Sequence, residues 1–189
     1  MTTVLLIRHG LTAVTGSILL GWTPGVGLDD RGRAQAQALA QRLASIPFTA
    51  IVSSPLQRCR ETAEAVASQQ GVVSHQGERA GDAERAGDAE QAGRIPGAPQ
   101  LPAAEGRGAV AIDDRLGECH YGDWTGQEMK ALTADPLWRT VQEHPSAVVF
   151  PGPEGEALRD TQHRAVAAVR DWNARLGPDA VWLACSHGD

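Results

Sequence analysis

The chain has few of the features that mark secreted or membrane proteins. Only three of its 189 residues are cysteines, and they show no C-x-x-C spacing. An odd number of unpaired cysteines is not a disulfide framework and is typical of a reducing compartment. No apolar run approaches the length of a membrane span, and the N-terminus lacks the basic segment and apolar core of a signal peptide. We therefore expect a cytoplasmic protein with no membrane partner.

Positive charge is outnumbered by negative charge, with 17 Lys and Arg residues against 23 Asp and Glu. The formal net charge is −6, and Lys130 is the only lysine. An acidic chain is poorly suited to binding nucleic acid, so no nucleic-acid partner is expected. Four of the six histidines lack the spacing of metal ligands and are interpreted as surface or core residues. These are His75, His120, His144 and His163.

Apolar runs alternate with helical stripes along the chain. This alternation predicts an α/β fold with a mostly parallel sheet. The predicted strands cover 2–8, 50–53, 109–112 and 180–186. The first predicted helix runs to about 44 with Asp29 or Asp30 as its cap, and the second covers 55–67 with Ser54 as its cap. The last predicted helix starts near 154 or 155 and ends at 176. Thr125 and Glu128 have the spacing of a capping box, which predicts that a short helix opens there.

One stretch interrupts this pattern. Glu-Arg-Ala-Gly-Asp-Ala occurs at 78–83 and again at 84–89, and a proline- and glycine-rich stretch follows. Such a segment has too few large apolar side chains to offset its ordering entropy. We interpret residues 1–189 as a single domain with a low-complexity surface insertion at about 75–108.

Two strand ends carry the most informative residues. Arg8-His9-Gly10 follows the apolar run 4–7, and Ser186-His187-Gly188 follows the run 181–185. The carboxyl ends of parallel strands form the edge where open α/β proteins bind ligands. Arginine and histidine together are suited to holding and attacking a phosphate group.

The sequence offers each part that phosphate chemistry needs. His9 is the candidate nucleophile, and Arg8 provides a rigid fork of donors for phosphoryl oxygens. Arg58 falls in the first turn of the second predicted helix, where its charge adds to the positive helix end. His187 can donate a further hydrogen bond, and Glu118 is the candidate proton donor.

Four segments in this order resemble the histidine phosphatase superfamily, in its phosphoglycerate mutase-like branch. They are RHG at 8–10, SSPLQRCRETA at 53–63, GECHYGDWTG at 117–126 and CSHGD at 185–189. The resemblance implies a three-layer α/β/α sandwich and a phosphohistidine at His9. It also implies a phosphate pocket of Arg8, Arg58 and His187, with Glu118 as acid and then base. No metal or other cofactor is implied.

The resemblance extends to three candidate substrate contacts. Thr15 stands where members of the family often have an asparagine that touches the phosphate. Gly21 and Tyr121 match substrate-binding positions, although Leu20 replaces the hydroxyl residue that often precedes the glycine. Relatives usually continue beyond the second histidine, so the resemblance also implies that a C-terminal part of the fold is missing after Asp189.

The expected function is metal-independent hydrolysis of a small phosphomonoester. The interval from Glu118 to His187 is short for a mutase, which favours hydrolysis. Tyr121 matches a tyrosine that the mutases use, so a phosphoglycerate mutase-type phosphomutase is an alternative. A non-catalytic protein that binds a phosphorylated ligand is a second alternative. The oligomeric state stays open, and a homodimer is one of the options.

Overall fold

The computed structural model describes residues 1–73 and 109–188, without the side chains of 71–73. The predicted insertion at about 75–108 therefore lies outside the described residues. In the described part, four strands form one parallel sheet in the order β1-β4-β2-β3. The strands are β1 Thr3–Arg8, β2 Ala50–Ser53, β3 Val110–Ile112 and β4 Val181–Ser186. The predicted parallel sheet is confirmed.

Five α-helices accompany the sheet within these residues. They are α1 Asp30–Leu43, α2 Gln57–Val73, α3 Met129–Leu132, α4 Pro136–Glu143 and α5 Leu158–Leu176. Of the two candidate caps, Asp29 is the one that caps α1, since its side chain accepts a hydrogen bond of 2.7 Å from the Gly32 N–H. None of the described helices is both long and apolar enough to cross a membrane.

The helices cover both faces of the sheet, which confirms the predicted three-layer sandwich. Apolar side chains of α1 and α2 pack on one face, and those of α5 pack on the other. The first core includes Ala40, Leu43, Cys59, Ala63, Ile51 and Leu183. The second includes Val52, Trp182, Ala184, Ala168 and Trp172. A third cluster, which includes Tyr121, Trp124, Leu132, Val148 and Phe150, gathers the segments between β3 and α5.

Two predicted helix starts are wrong by a few residues. The α2 helix begins at Gln57 rather than at Pro55, and the Ser54 hydroxyl instead accepts from the Leu56 N–H at 3.3 Å. The α5 helix begins at Leu158 rather than at 154 or 155. Gly155 and Ala157 each form a strand-like bridge, to Tyr121 and Val149 respectively, so this segment is extended.

The predicted capping box is also wrong. Thr125 ends a short 3-10 turn, and Gly126 follows it with a φ of +80°. This left-handed residue breaks the path from the proposed cap to the helix. The α3 helix starts only at Met129, and Glu128 at its N-cap makes no side-chain capping bond.

The sheet order places the two histidine segments side by side. In the register of β1 and β4, Ile7 pairs with Cys185 and Arg8 pairs with Ser186. On the other side of β4, Ser53 of β2 also pairs with Cys185. The residues that follow these strands, His9, His187 and Ser54, therefore leave the sheet at one edge.

The start of α1 packs closely behind the loop that follows His9. A Cβ atom at Gly32 would lie 2.0 Å from the Leu11 carbonyl oxygen, and one at Gly10 would lie 2.6 Å from the Gly32 oxygen. Real Cβ atoms do not approach backbone oxygens this closely, so both positions require glycine for space. This contact fixes where the chain turns after β1.

We expect Gly32→Ala to destabilise the protein although alanine is the better helix former. Helix propensity alone would favour alanine by about 1 kcal/mol. The clash with the Leu11 backbone should outweigh this gain and lower the free energy of unfolding by about 3 kcal/mol. Urea denaturation measures the change, and Gln37→Ala at an exposed position of the same helix is the control. Equal or higher stability of Gly32→Ala would contradict the close packing.

Candidate active site

The strand ends bring His9 and His187 into contact. Their ring centroids lie 5.2 Å apart, and the rings meet edge to face at 60°. Arg8 lies against the chain after His187, because a Cβ at Gly188 would sit 3.2 Å from the Arg8 Cζ atom. The two motifs that the sequence singled out therefore form one cluster, although almost the whole chain separates them.

A backbone carbonyl sets the tautomer of His9. The Nδ1 atom lies 2.7 Å from the Gly10 carbonyl oxygen. A carbonyl oxygen only accepts, so Nδ1 carries the proton and donates it to this oxygen. In the neutral ring, Nε2 then carries the lone pair. This is the arrangement that a histidine nucleophile needs.

His187 is buried, with 1% of its side chain exposed. Its Nε2 atom lies 2.9 Å from the Ser54 hydroxyl and 3.4 Å from the Cys59 sulfur. Burial, followed by the charge of Arg58, the neighbouring His9 ring and the charge of Arg8, lowers the pKa of His187 to about 2. The ring is therefore neutral at ordinary pH unless an anion offsets these charges.

Arg58 extends from the first turn of α2 into the same cluster. Its side chain is 1% exposed. The Nη2 atom donates to the Gly21 carbonyl at 2.9 Å and forms a close ion pair with the Glu118 carboxylate. The buried Nη1 atom has no hydrogen-bond partner among the described residues. A buried donor without an acceptor is unfavourable, so the arrangement is suited to an anionic oxygen.

Glu118 completes the cluster from the loop after β3. Its side chain is 13% exposed, and Oε2 lies 3.9 Å from His187 Nδ1. The Trp22 indole donates to the Glu118 carbonyl oxygen at 2.6 Å. Two imidazoles, two guanidinium groups and one carboxylate are thus grouped at one edge of the sheet. Such a set can bind a phosphoryl dianion, attack it and protonate a leaving oxygen.

Of the remaining predicted substrate contacts, one contacts the cluster and two make contacts elsewhere. Gly21 is part of the cluster through its carbonyl, which anchors Arg58. Tyr121 is 6% exposed and packs edge to face on Phe150, with ring centroids 4.9 Å apart. The Thr15 hydroxyl bonds within its own turn, 2.8 Å from the Thr12 N–H. Direct substrate contact by these three residues stays a prediction.

Sequence reasoning missed two hydroxyl groups of the cluster. Ser54 was interpreted only as a helix cap, yet its hydroxyl contacts His187. Thr62 accepts from the Gly10 N–H at 3.1 Å and donates to the Arg58 carbonyl at 2.8 Å, which ties the loop after His9 to α2. The position of Ser54 directly after β2, at the ligand-binding edge of the sheet, is the signal that could have identified it.

Two open clefts are lined by neighbours of the cluster residues, although neither is lined by His9, His187, Arg58 or Glu118. One, of about 560 Å³, is lined by Trp22, Gln57 and Arg60 among others. The other, of about 750 Å³, is lined by residues that include His120 and Glu156. The rings of Trp22 and His120 stack between them, with centroids 4.5 Å apart. In the described part of the chain, no group of three or more His, Cys, Asp and Glu residues is arranged to hold a metal ion.

We expect the burial of neutral His187 to make stability depend on pH. Its pKa is lowered from 6.5, so below about pH 6.5 the unfolded chain takes up a proton that the folded chain does not. The free energy of unfolding should therefore fall as the pH drops, by up to about 1.4 kcal/mol per pH unit. Above that range the contribution is fully present.

Urea denaturation between about pH 7 and pH 4 measures this slope. His187→Gln should have a shallower slope than the parent, because it removes the titrating group. His144→Gln, at an exposed position, is the control and should leave the slope unchanged. Equal slopes for the parent and His187→Gln would contradict the assignment.

The chain resembles known proteins over most of its length. The sequence model of the Histidine phosphatase superfamily (branch 1) matches residues 4–90 and 99–189. The chain is 28% identical to glucosyl-3-phosphoglycerate phosphatase of Mycolicibacterium vanbaalenii over 98% of this chain and 68% of the relative. It is 25% identical to 2,3-bisphosphoglycerate-dependent phosphoglycerate mutase 2 of Gloeobacter violaceus, over 95% of this chain and 65% of the relative.

Solved structures show the same fold. The native structure of a mycobacterial glucosyl-3-phosphoglycerate phosphatase superposes with a TM-score of 0.67 and 26% identity, over 97% of this chain and 72% of that one.

Two further curated relatives, both from Mycobacterium tuberculosis, align over only 34% of their own length. The chain thus spans about a third of those two relatives.

Proposed function

The chain belongs to the histidine phosphatase superfamily, and from this premise we propose that it hydrolyses a small phosphomonoester through a phosphohistidine at His9. The observation that carries the proposal is the hydrogen bond from His9 Nδ1 to the Gly10 carbonyl. This bond leaves the Nε2 lone pair for attack on phosphorus and stabilises the positive charge that forms on the ring.

The first step transfers the phosphoryl group to the protein. Arg8, Arg58 and His187 bind the phosphoryl oxygens, and the buried Arg58 Nη1 supplies a donor for one of them. His9 Nε2 attacks phosphorus as the ester P–O bond breaks. Glu118 takes up a proton once the phosphoryl dianion has replaced it as the partner of Arg58, and it then donates this proton to the leaving oxygen, which departs as an alcohol.

The second step releases phosphate. A water molecule attacks the phosphohistidine while the Glu118 carboxylate accepts its proton. The P–N bond breaks, inorganic phosphate leaves, and His9 returns to its starting tautomer. A bound dianion also offsets the positive charges near His187, so its pKa rises on binding and the ring becomes a better donor.

A phosphomutase is the second candidate, and the likeness to a phosphoglycerate mutase over most of the chain favours it. The two functions share the first step and differ in the second. A mutase returns the phosphoryl group to an organic acceptor, whereas a phosphatase gives it to water. The products therefore distinguish them.

A labelled substrate tests the proposal directly. Purified protein is mixed with a ³²P-labelled aryl phosphate in EDTA, quenched rapidly and examined for protein-bound label and free phosphate. We expect label that is stable to alkali and lost in acid, as for phosphohistidine, followed by stoichiometric phosphate release. The same assay is repeated with phosphoglycerate esters and with a phosphoglycerate as possible acceptor.

Each outcome assigns one function. Label that appears on the organic acceptor instead of in free phosphate would favour the mutase. Phosphate binding with neither label nor release, for every ester tested, would contradict both reactions and favour a non-catalytic ligand-binding protein. An exposed histidine provides the control, since His163→Gln should behave as the parent does.

A further inference from the structure

An arginine in α5 holds the loop that carries Glu118. The Arg164 Nη1 atom donates to the carbonyl oxygens of Arg115 and Gly117, each at 2.8 Å. Its Nη2 atom donates to the Glu118 carbonyl at 2.8 Å. Three backbone carbonyls within four residues of chain thus converge on one guanidinium, which lies 19% exposed.

Glu156 binds the other side of the same guanidinium. Its carboxylate accepts from Arg164 Nε at 2.7 Å and from Nη2 at 2.9 Å, as a fork-to-fork ion pair. It also accepts from the His120 N–H at 3.2 Å, and the Glu156 N–H donates to the His120 carbonyl at 2.8 Å. The ion pair therefore binds the loop backbone on both sides of Glu118, at Arg115 and Gly117 before it and at His120 after it.

Glu156 is ionised in this arrangement. Burial acts to raise its pKa, but the hydrogen bonds from Arg164 and from the His120 N–H outweigh burial and hold the pKa below its usual range. The pair is charge-assisted, and such hydrogen bonds are shorter and stronger than neutral ones.

The loop needs this support because it has no regular structure of its own. Glu118 lies between two 3-10 turns, 114–116 and 122–124, and the Trp22 indole also donates to its carbonyl. The distance from the Glu118 carboxyl to a leaving oxygen depends on this backbone. A misplacement of about 1 Å can cost on the order of 10²-fold in rate.

We propose that Arg164 and Glu156 are positioning residues that set the Glu118 carboxyl for proton donation to the leaving oxygen. This assignment rests on the proposed function, since it concerns the acid of that reaction. This role requires no contact between either side chain and the substrate. Their effect passes through the backbone of residues 115–120.

The basicity of the leaving group separates this role from simple structural support. An alkyl phosphate releases a strongly basic oxygen that must be protonated as it leaves. An aryl phosphate with a nitro group releases a weakly basic oxygen that needs no proton. Displacement of Glu118 should therefore slow the first reaction far more than the second.

The experiment measures kcat/KM for p-nitrophenyl phosphate and for a series of alkyl phosphates in three variants. Arg164→Lys keeps the charge but cannot bind three carbonyls and a carboxylate at once, and Glu156→Gln keeps the shape without the charge. We expect both to lose about 10²-fold with alkyl phosphates and less than about 5-fold with p-nitrophenyl phosphate. Arg170→Lys, at an exposed position of α5, should change neither rate.

The pH profile and hydrogen exchange provide independent readouts. The limb of the profile that reports the protonated acid should flatten for alkyl phosphates in Arg164→Lys, and amide exchange in residues 115–120 should become faster. Equal losses with both substrate classes, or unchanged exchange, would overturn the positioning role alone. A parent protein that turns over neither class would contradict the proposed function and this assignment with it.

Discussion

His9→Gln should lower kcat for phosphomonoesters by about 10⁴- to 10⁶-fold, the range seen when a covalent nucleophile is removed. Glutamine retains an amide that can donate to the Gly10 carbonyl, but it has no nitrogen lone pair that can attack phosphorus. His9 is only partly buried, so the fold should be retained. The loss should therefore fall on the chemical step.

Steady-state kinetics and phosphate binding together test this result. The dissociation constant for inorganic phosphate should change by less than about 10-fold, because the arginine donors of the pocket are intact. His163→Gln, on the exposed side of α5, should retain the parental kcat. Appreciable turnover by His9→Gln would assign the nucleophile to another residue or to water.

Arg58→Met should have the second large effect, and it should affect both stability and activity. The substitution retains volume but leaves the Glu118 carboxylate without its guanidinium partner in a site where the arginine is 1% exposed. Removing one member of a buried ion pair typically costs about 3–5 kcal/mol. Phosphate binding should also weaken, because the buried Nη1 and Nη2 donors are lost together.

A double-mutant cycle separates the ion pair from the other contacts of Arg58. Adding Glu118→Gln to Arg58→Met removes the uncompensated charge, so much of the lost stability should return without any return of activity. Arg60→Met is the control, because Arg60 is 54% exposed and its contact with Glu64 is 3.9 Å long. Such a surface pair contributes at most about 1 kcal/mol. Equal losses for Arg58→Met and Arg60→Met would contradict the buried pair.

The parallel sheet and the two histidines at its edge could be predicted from the sequence alone. The apolar runs that end in Arg8-His9 and Ser186-His187 indicate buried strands and where these strands end. The parallel orientation of the strands, though not their order in the sheet, follows from the alternation with helices. Local signals were less reliable where tertiary contacts compete with them. The capping-box pattern at Thr125 failed because Gly126 takes a left-handed conformation in the folded chain.

Arg164 shows why part of the candidate site escapes sequence reasoning. On the helix it is one of several arginines with no distinctive spacing, and nothing local marks it as a partner for backbone carbonyls. Its role depends on α5 lying across the loop after β3, where three carbonyls happen to face one guanidinium. Contacts of this kind appear only when the layers are assembled.

The pairing of β1 with β4 gives the site a dependence on folding order. These strands come from opposite ends of the described chain, so the cluster forms only after a long stretch of chain has been closed into a loop. Contacts of such large sequence separation form late and slow the folding reaction. A ligand that bridges both strand ends therefore binds the native state and not its precursors. At a concentration of 100 times its dissociation constant it would add about 2.7 kcal/mol to the free energy of unfolding. Ligand binding in the pocket and completion of the fold are therefore thermodynamically linked.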